Sequence, residues 1–493
     1  MRFRLLLGLL VCLLPMMATA AKVAVLSTSF VLERKFKLME TAAREHGLEL
    51  AWTQVDREGK AGVARVLDNA AFAIIDAPND DAMTQIEQMA GEDLRARAIP
   101  FLGIHLFNLP MRMQAQHMEE AQVQRLFSYY VGGTRINHER MMQYLKAWLE
   151  GGDLSAVPLP VELPNGGIYH PDADQMIFAS LPEYLDWWQQ RHNRSWQDNP
   201  VIGMETSSSY LSDGQTRQFD ETITAIERAG GVPVVFYRGS RVMRSKPVAR
   251  LPEQAITPPG EKSLKDTPAT RIHDFPNPLP LPSPTLDEPL VTLDGKLILH
   301  ALMVNTFLGV NPDGRKAWYQ SLGIPVINFM QYRTGTRTGY MRDNAGVSSF
   351  LLPFWLTVAE YIGLQDPVIV TTNEEGELAP MPEQMDLLVG KLINLARLAM
   401  LPNSKKNIAL LFWNHPPGEH NQGASNLNVP RSVVHLVERL RGEGYAFDTV
   451  SEDQIHNGCR QNAAPGLPSG FTDGIDTNAT LGFFIAVSVS RMV

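Results

Sequence analysis

From Lys22 onward, short apolar runs alternate with amphipathic stretches, and that alternation restricts the chain to an α/β architecture. Residues 22–27 read as a buried strand, 32–46 as a helix and 48–52 as the next strand. Residues 71–75 and 99–104 are further short apolar runs. Residues 61–70, 81–90 and 137–150 carry helical spacing. Strands that alternate with helices pair in parallel, because each crossover helix packs back onto the sheet it left. The expected fold class is therefore α/β, with two or more successive domains whose parallel sheets are flanked by helices. At 493 residues the chain is too long for a single core.

A first α/β domain is expected over residues 21–150. Residues 151–199 read as a bridging segment rich in Pro and Gly. It contains LPEYLDWWQQR, whose Tyr184, Trp187 and Trp188 share one helix face. Those aromatics either pack a domain interface or offer a wall to a planar ligand. A second α/β domain is expected over residues 200–400, interrupted by a Pro-rich insertion at 245–289. Proline lacks a donor and cannot continue a ladder, so the insertion is expected to run over the surface. Residues 401–454 begin a third α/β domain. Residues 455–493 lose all periodicity, and a frameshift or premature stop would produce such a change of character.

Residues 1–20 have the layout of a secretory signal peptide. Arg2 and Arg4 give the charged start, residues 5–14 the apolar core, and Ala18-Thr19-Ala20 the cleavage site. The expected location is periplasmic or otherwise exported. No later run is long enough to span a bilayer, so the processed chain is not expected to be an integral membrane protein. A net charge of −9 argues against a nucleic-acid partner. Two cysteines, Cys12 and Cys459, rule out a disulfide framework.

The most specific wording lies in residues 407–447. An apolar run at 408–413 ends at Asn414, a loop rich in Gly, Asn and His follows, and Val429-Pro430 opens an amphipathic helix. Loops of this kind lie at the carboxyl ends of strands, where ligands bind. PPGEHNQGASNLNVPRS resembles the PPG-x-x-N-x-G-A-x-x-L-(D/N)-V-P-x-S segment of the CobN-type cobaltochelatase large subunit, to which the large (H) subunit of magnesium chelatase is related. A more diffuse resemblance covers residues 200–450. It implies a large subunit that binds a corrin or porphyrin for metal insertion, as in cobalamin biosynthesis. Cobalt or magnesium would be the substrate metal, and ATP would be hydrolysed by partner subunits. The chain itself has no G-x-x-x-x-G-K-(S/T) loop, no C-x-x-C pair and no H-E-x-x-H, so no cofactor is bound by a recognisable motif. On the resemblance, catalytic acidic residues belong to later domains missing here, and no catalytic residue is assigned.

Three groups carry candidate chemistry. Gly418, Glu419, His420, Asn421 and Gly423 line the PPG loop. Glycine lets backbone approach a flat ring, and imidazole and carboxylate can accept pyrrole N–H protons. His415 and His420 are either transient metal ligands or solvated histidines beside a turn. Ser207 and Ser208, after an apolar strand, either cap the next helix or hydrogen-bond the polar arms of a macrocycle. Arg315 either meets a ring carboxylate as a bidentate donor or is an ordinary surface arginine. The leader peptide leaves an alternative open. An exported protein has no ATP pool, and tetrapyrrole binding, or metal removal from haem or a corrinoid without ATP, would suit the periplasm.

Overall fold

The computed structural model describes residues 20–105, 112–116, 118–161, 163–164, 166–238, 270–274, 289–306, 312–347, 349, 351–408, 423–424 and 426–455. The chain divides into two compact units, Met1–Ile393 and Asn394–Val493. The expected signal peptide lies, except for Ala20, outside the described residues.

The first unit holds two sheets. The first sheet is built from β1 (Lys22–Ser27), β2 (Glu49–Gln54), β3 (Ala70–Ala77), β4 (Phe101–His105) and β5 (Arg112–Gln116), with α1 (Glu33–Glu45), α2 (Val55–Leu67) and α3 (Asp80–Ala96) between them. β1 pairs in parallel with β2 and β3, and β3 with β4, while β5 returns antiparallel. The strands are apolar on both faces, as a sheet covered on both sides demands. Val23 and Val25 face α1, α4 (Glu120–Gly132) and α5 (Thr134–Glu150), whereas Ala24 and Leu26 face α2 and α3. All four are fully buried. Full burial of a side chain such as valine or leucine stabilises by roughly 1.5–3 kcal/mol.

The second sheet draws on β6 (Gly166–Tyr169), β7 (Ile177–Phe178), β8 (Val201–Ser207) and β9 (Val232–Arg238), with α6 (Leu181–His192), α7 (Ser208–Ser212) and α8 (Arg217–Arg228) interspersed. β10 (Thr270–Asp274) leaves this lobe and pairs antiparallel with β5 at the edge of the first sheet. A small hairpin, β11 (Thr292–Leu293) and β12 (Lys296–Leu297), precedes β13 (Ala301–Asn305), β14 (Val326–Tyr332), β15 (Gln365–Glu374) and β16 (Glu377–Pro380). The sheet order is β16-β15-β14-β13-β8-β9-β6-β7, with β15 through β9 parallel.

Two expectations need correction. Residues 151–199 are not merely a bridge, because β6 and β7 extend the second sheet antiparallel to β9 and α6 packs on it. Tyr184 and Trp188 are fully buried in that lobe's own core rather than at a domain interface. Gly167 lets β6 and β7 approach closely: a Cβ there would lie 2.6 Å from Ile177 Cγ2. The Pro-rich insertion does form a ladder at one place. β10 occupies a proline-free window between Pro268 and Pro276.

Taken by itself, the second unit shows a short pairing of β17 (Gly423–Ala424) with β18 (Leu427–Asn428), then the helix Val429–Gly442. Asn428 caps that helix by accepting from the Arg431 N–H at 3.1 Å, and Pro430 sits in its first turn. Val433 and Val437 pack with Ile455, while Leu436 is 42% exposed. The expected strand at 408–413 lies outside the described residues apart from Ile408. Among the described residues no helix is long and apolar enough to cross a membrane.

Candidate functional site

Each lobe of the first unit has a point where successive crossovers leave one strand in opposite directions. In the first sheet that point lies between β1 and β3, and in the second between β8 and β13. A crevice opens at the carboxyl ends of the strands at such a switch.

The first crevice is plugged. Lys35, in the first turn of α1, is 2% exposed. Its Nζ lies 3.1 Å from Asp76 Oδ2, 3.2 Å from Asp213 Oδ1 and 4.1 Å from the centre of the Tyr130 ring. The Tyr130 hydroxyl donates to the same Asp76 oxygen, and Ser27 Oγ donates to the Asp76 carbonyl at 2.8 Å. Burial works against the Lys35 charge, yet Asp213 and Asp76 outweigh it and hold its pKa above the ordinary value. Burial, reinforced by Asp76, puts the Tyr130 pKa well above its usual range. His138 on α5 is fully buried, and burial first, then Lys35, pushes its pKa down to about 3. Its ring is therefore neutral. Neither ring nitrogen, nor Asp76 Oδ1, has a partner among the described residues.

Asp213 follows α7 in the second lobe, so this cluster also seals the seam between the lobes. Arg333 donates to the Phe30 carbonyl at 2.9 Å, and the Arg34 N–H to the Gly376 carbonyl at 3.1 Å. The two backbones come close enough that a Cβ on Gly133 would lie 2.1 Å from the Ser212 carbonyl oxygen. Gly133 also has φ 53°, a region that favours glycine.

The second crevice is polar on both faces of its sheet. On one face Glu205, 3% exposed, accepts from Arg238, from Arg315 at 3.1 Å and from the Tyr319 hydroxyl at 2.8 Å. Burial alone would raise the Glu205 pKa, but Arg238 and Arg315 reverse it and hold the carboxyl below the usual range. On the other face, Asn305 and Gln331 both donate to Gln218 Oε1, at 2.8 and 2.9 Å, and Gln331 donates to Asn305 Oδ1 at 2.8 Å. Tyr210 donates to Gln331 at 3.0 Å. A buried amide network this well satisfied fixes the ends of β13 and β14 against α8.

Three of the sequence candidates fall at this edge. Ser207 ends β8 and caps α7, accepting from the Ser209 N–H at 3.3 Å. Ser208 is buried one residue on, at 3% exposure. Arg315, in the helix Pro312–Leu322, is mostly buried against Glu205 rather than an ordinary surface arginine. His415, Gly418, Glu419, His420 and Asn421 lie outside the described residues, while Gly423 belongs to β17. Sequence reasoning missed Lys35, Asp76, Asp213 and Arg238, and in the stretch Glu205–Tyr210 it weighed the hydroxyls rather than the carboxylate of Glu205. The signal that could have found two of them was a carboxylate inside an apolar strand run, in FAIIDA for Asp76 and VIGMETS for Glu205.

A third cluster lies at the opposite, amino end of the second sheet. Glu227 Oε1 is reached by Trp188 Nε1 at 3.0 Å, by His192 Nε2 at 2.8 Å and by His170 Nε2 at 3.4 Å. His170 Nδ1 accepts from the Asp172 N–H at 3.2 Å, so its Nε2 carries the proton and is a donor, not a metal ligand. Among the described residues no group of three or more His, Cys, Asp or Glu side chains is placed to hold a metal ion.

Comparison with known proteins agrees with this architecture. The chain is similar to the H subunit of magnesium chelatase from Chlorobaculum parvum, at 22% identity over 66% of this chain and 23% of the relative. It is similar to the corresponding protein of Rhodobacter capsulatus, at 20% identity over 69% of this chain and 27% of the relative. The chain thus spans about a quarter of the length of these relatives. Its fold is similar to that of the catalytic subunit of cobaltochelatase from Mycobacterium tuberculosis, with a TM-score of 0.56 and 18% identity, over 89% of this chain and 33% of that one. The CobN/Magnesium Chelatase family pattern matches residues 127–464, more than half of the sequence, and the chain belongs to that family.

Proposed function

We propose that this chain is a tetrapyrrole-binding protein of the CobN-like chelatase large-subunit type. The observation that carries the reading is the second crevice, within the family match. Hydroxyls of Ser207 and Ser208 and the guanidinium of Arg315 stand at the carboxyl edge of β8 and its neighbours, the position in open α/β sheets where ligands bind. A corrin or porphyrin offers carboxylate or amide arms to such groups and a flat apolar face to the rest of the protein. For the PPG loop, taken by itself, the family resemblance supports a tetrapyrrole contact by Gly418, Glu419, His420, Asn421 and Gly423, with His415 and His420 as transient ligands to a metal. Cobalt or magnesium is then a substrate, and ATP hydrolysis belongs to partner subunits.

A second reading rests on the expectation that residues 1–20 act as a secretory leader. An exported chain would bind haem or a corrinoid outside the cytoplasm, or release its metal, without ATP.

Titrating the purified chain with metal-free porphyrin, haem and a corrinoid tests both readings. Saturable binding of the metal-free ring, seen as a shift of its visible absorption, is expected from a chelatase portion. Binding of haem with release of iron would favour the second reading, and binding of none would remove both.

A further inference from the structure

Arg238 is the group in the second crevice with the most donor capacity left for a ligand. It is the last residue of β9 and lies opposite Ser207 across the sheet. One guanidinium nitrogen donates to Glu205, and the guanidinium carbon lies 4.3 Å from the centre of the Trp318 ring. A guanidinium carries five N–H donors, so most remain for an oxygen ligand. The Glu205 oxygen that Arg238 contacts is shared with Arg315. The Arg238 side chain is 16% exposed, enough to be reached from solvent. Stacking on an indole and anchoring by a carboxylate fix the plane of the guanidinium before any ligand arrives.

An independent observation in the same cluster also calls for an acceptor. Trp318 is 1% exposed, and its indole Nε1–H has no partner among the described residues. A buried donor without an acceptor is a standing deficit that an incoming oxygen atom removes.

We propose that Arg238, held flat between Glu205 and Trp318, is a carboxylate clamp that takes an acidic side arm of the tetrapyrrole. The proposal rests on the reading that the chain binds a tetrapyrrole. It adds a residue and a ligand preference: macrocycles with free carboxylates should bind in preference to their neutral esters.

The test compares binding of a metal-free dicarboxylic porphyrin and its dimethyl ester to the full chain and to Arg238→Gln and Arg238→Lys. The wild-type chain should bind the acid at least about tenfold more tightly than the ester, the scale of one charge-assisted hydrogen-bonded pair. Arg238→Gln should erase that preference by weakening the acid alone, and Arg238→Lys should retain part of it. Equal binding of acid and ester by wild type would overturn the clamp and leave the tetrapyrrole reading standing. Equal weakening of both ligands in Arg238→Gln would overturn it too, by showing a structural role. If wild type binds neither compound, the clamp falls together with the reading beneath it. Should Arg238→Gln fail to fold, the acid–ester ratio of the wild-type chain still decides.

Discussion

The two lobes of the first unit share a parallel sheet with a switch in strand order, yet they treat the crevice at that switch in opposite ways. In the first lobe one lysine sits between two carboxylates, Asp76 and Asp213, under a tyrosine ring. In the second, one carboxylate sits between two guanidinium groups, Arg238 and Arg315. Lys35 is fully sequestered, and its second carboxylate comes from the neighbouring lobe, so the first crevice serves cohesion. Arg238 keeps partial exposure and spare donors, so the second crevice suits an anion. Similar topology supplies the place; the sign and surplus of charge decide its use.

The sharpest way to break this contrast is Lys35→Met. It leaves two carboxylates without their shared cation, and loss of one partner of a buried pair costs about 3–5 kcal/mol. Arg315→Gln leaves Glu205 with Arg238, so the expected loss is only roughly 1–2 kcal/mol. Urea unfolding of both variants measures the difference. Equal losses would mean that the two crevices are structurally alike.

His138 gives the next effect. Its folded pKa of about 3 lies below the ordinary 6.5, so as pH falls below 6.5 the unfolded chain takes up the proton first. The stability tied to its neutral ring is complete above pH 6.5 and is lost as pH drops toward 3. The expected slope is roughly 1.4 kcal/mol per pH unit. Unfolding midpoints between pH 6.5 and 5 should show that slope in wild type and lose it in His138→Met. The smallest effect is expected for Ser207→Ala. As the cap of a single short turn, Ser207 should contribute about 0.5–1 kcal/mol to thermal stability, and loss of its hydroxyl from the crevice edge should also weaken porphyrin binding. A loss of melting temperature with unchanged affinity would confine Ser207 to capping.

Much of the scaffold was legible in the chain. Residues 22–27 form β1 end for end, and the helix expected at 32–46 runs from Glu33 to Glu45. Apolar runs and helical spacing are local signals, and both faces of these strands are buried. The helix Glu120–Gly132 is absent from the sequence expectations, although Val123, Leu126, Phe127 and Tyr130 recur at helical spacing. The polar clusters were less visible for a physical reason. Lys35 and Asp76 meet through the packing of α1 beside β3, Asp213 joins them only because the two lobes dock, and no spacing along one segment encodes that meeting. Arg238 was hidden at the close of an apolar run, where a terminal arginine looks like an ordinary strand end.

The edge position of β10 has a consequence for how the chain is made. During synthesis the first sheet is drawn from residues 22–116, but its last strand, Thr270–Asp274, is supplied only after β6 to β9 of the other lobe have emerged. Until then β5 presents an open antiparallel edge, a template for wrong pairing with another nascent copy. The first lobe therefore cannot be finished as an independent unit at the ribosome. Its closing strand arrives as a late delivery from its neighbour, so the two lobes mature together.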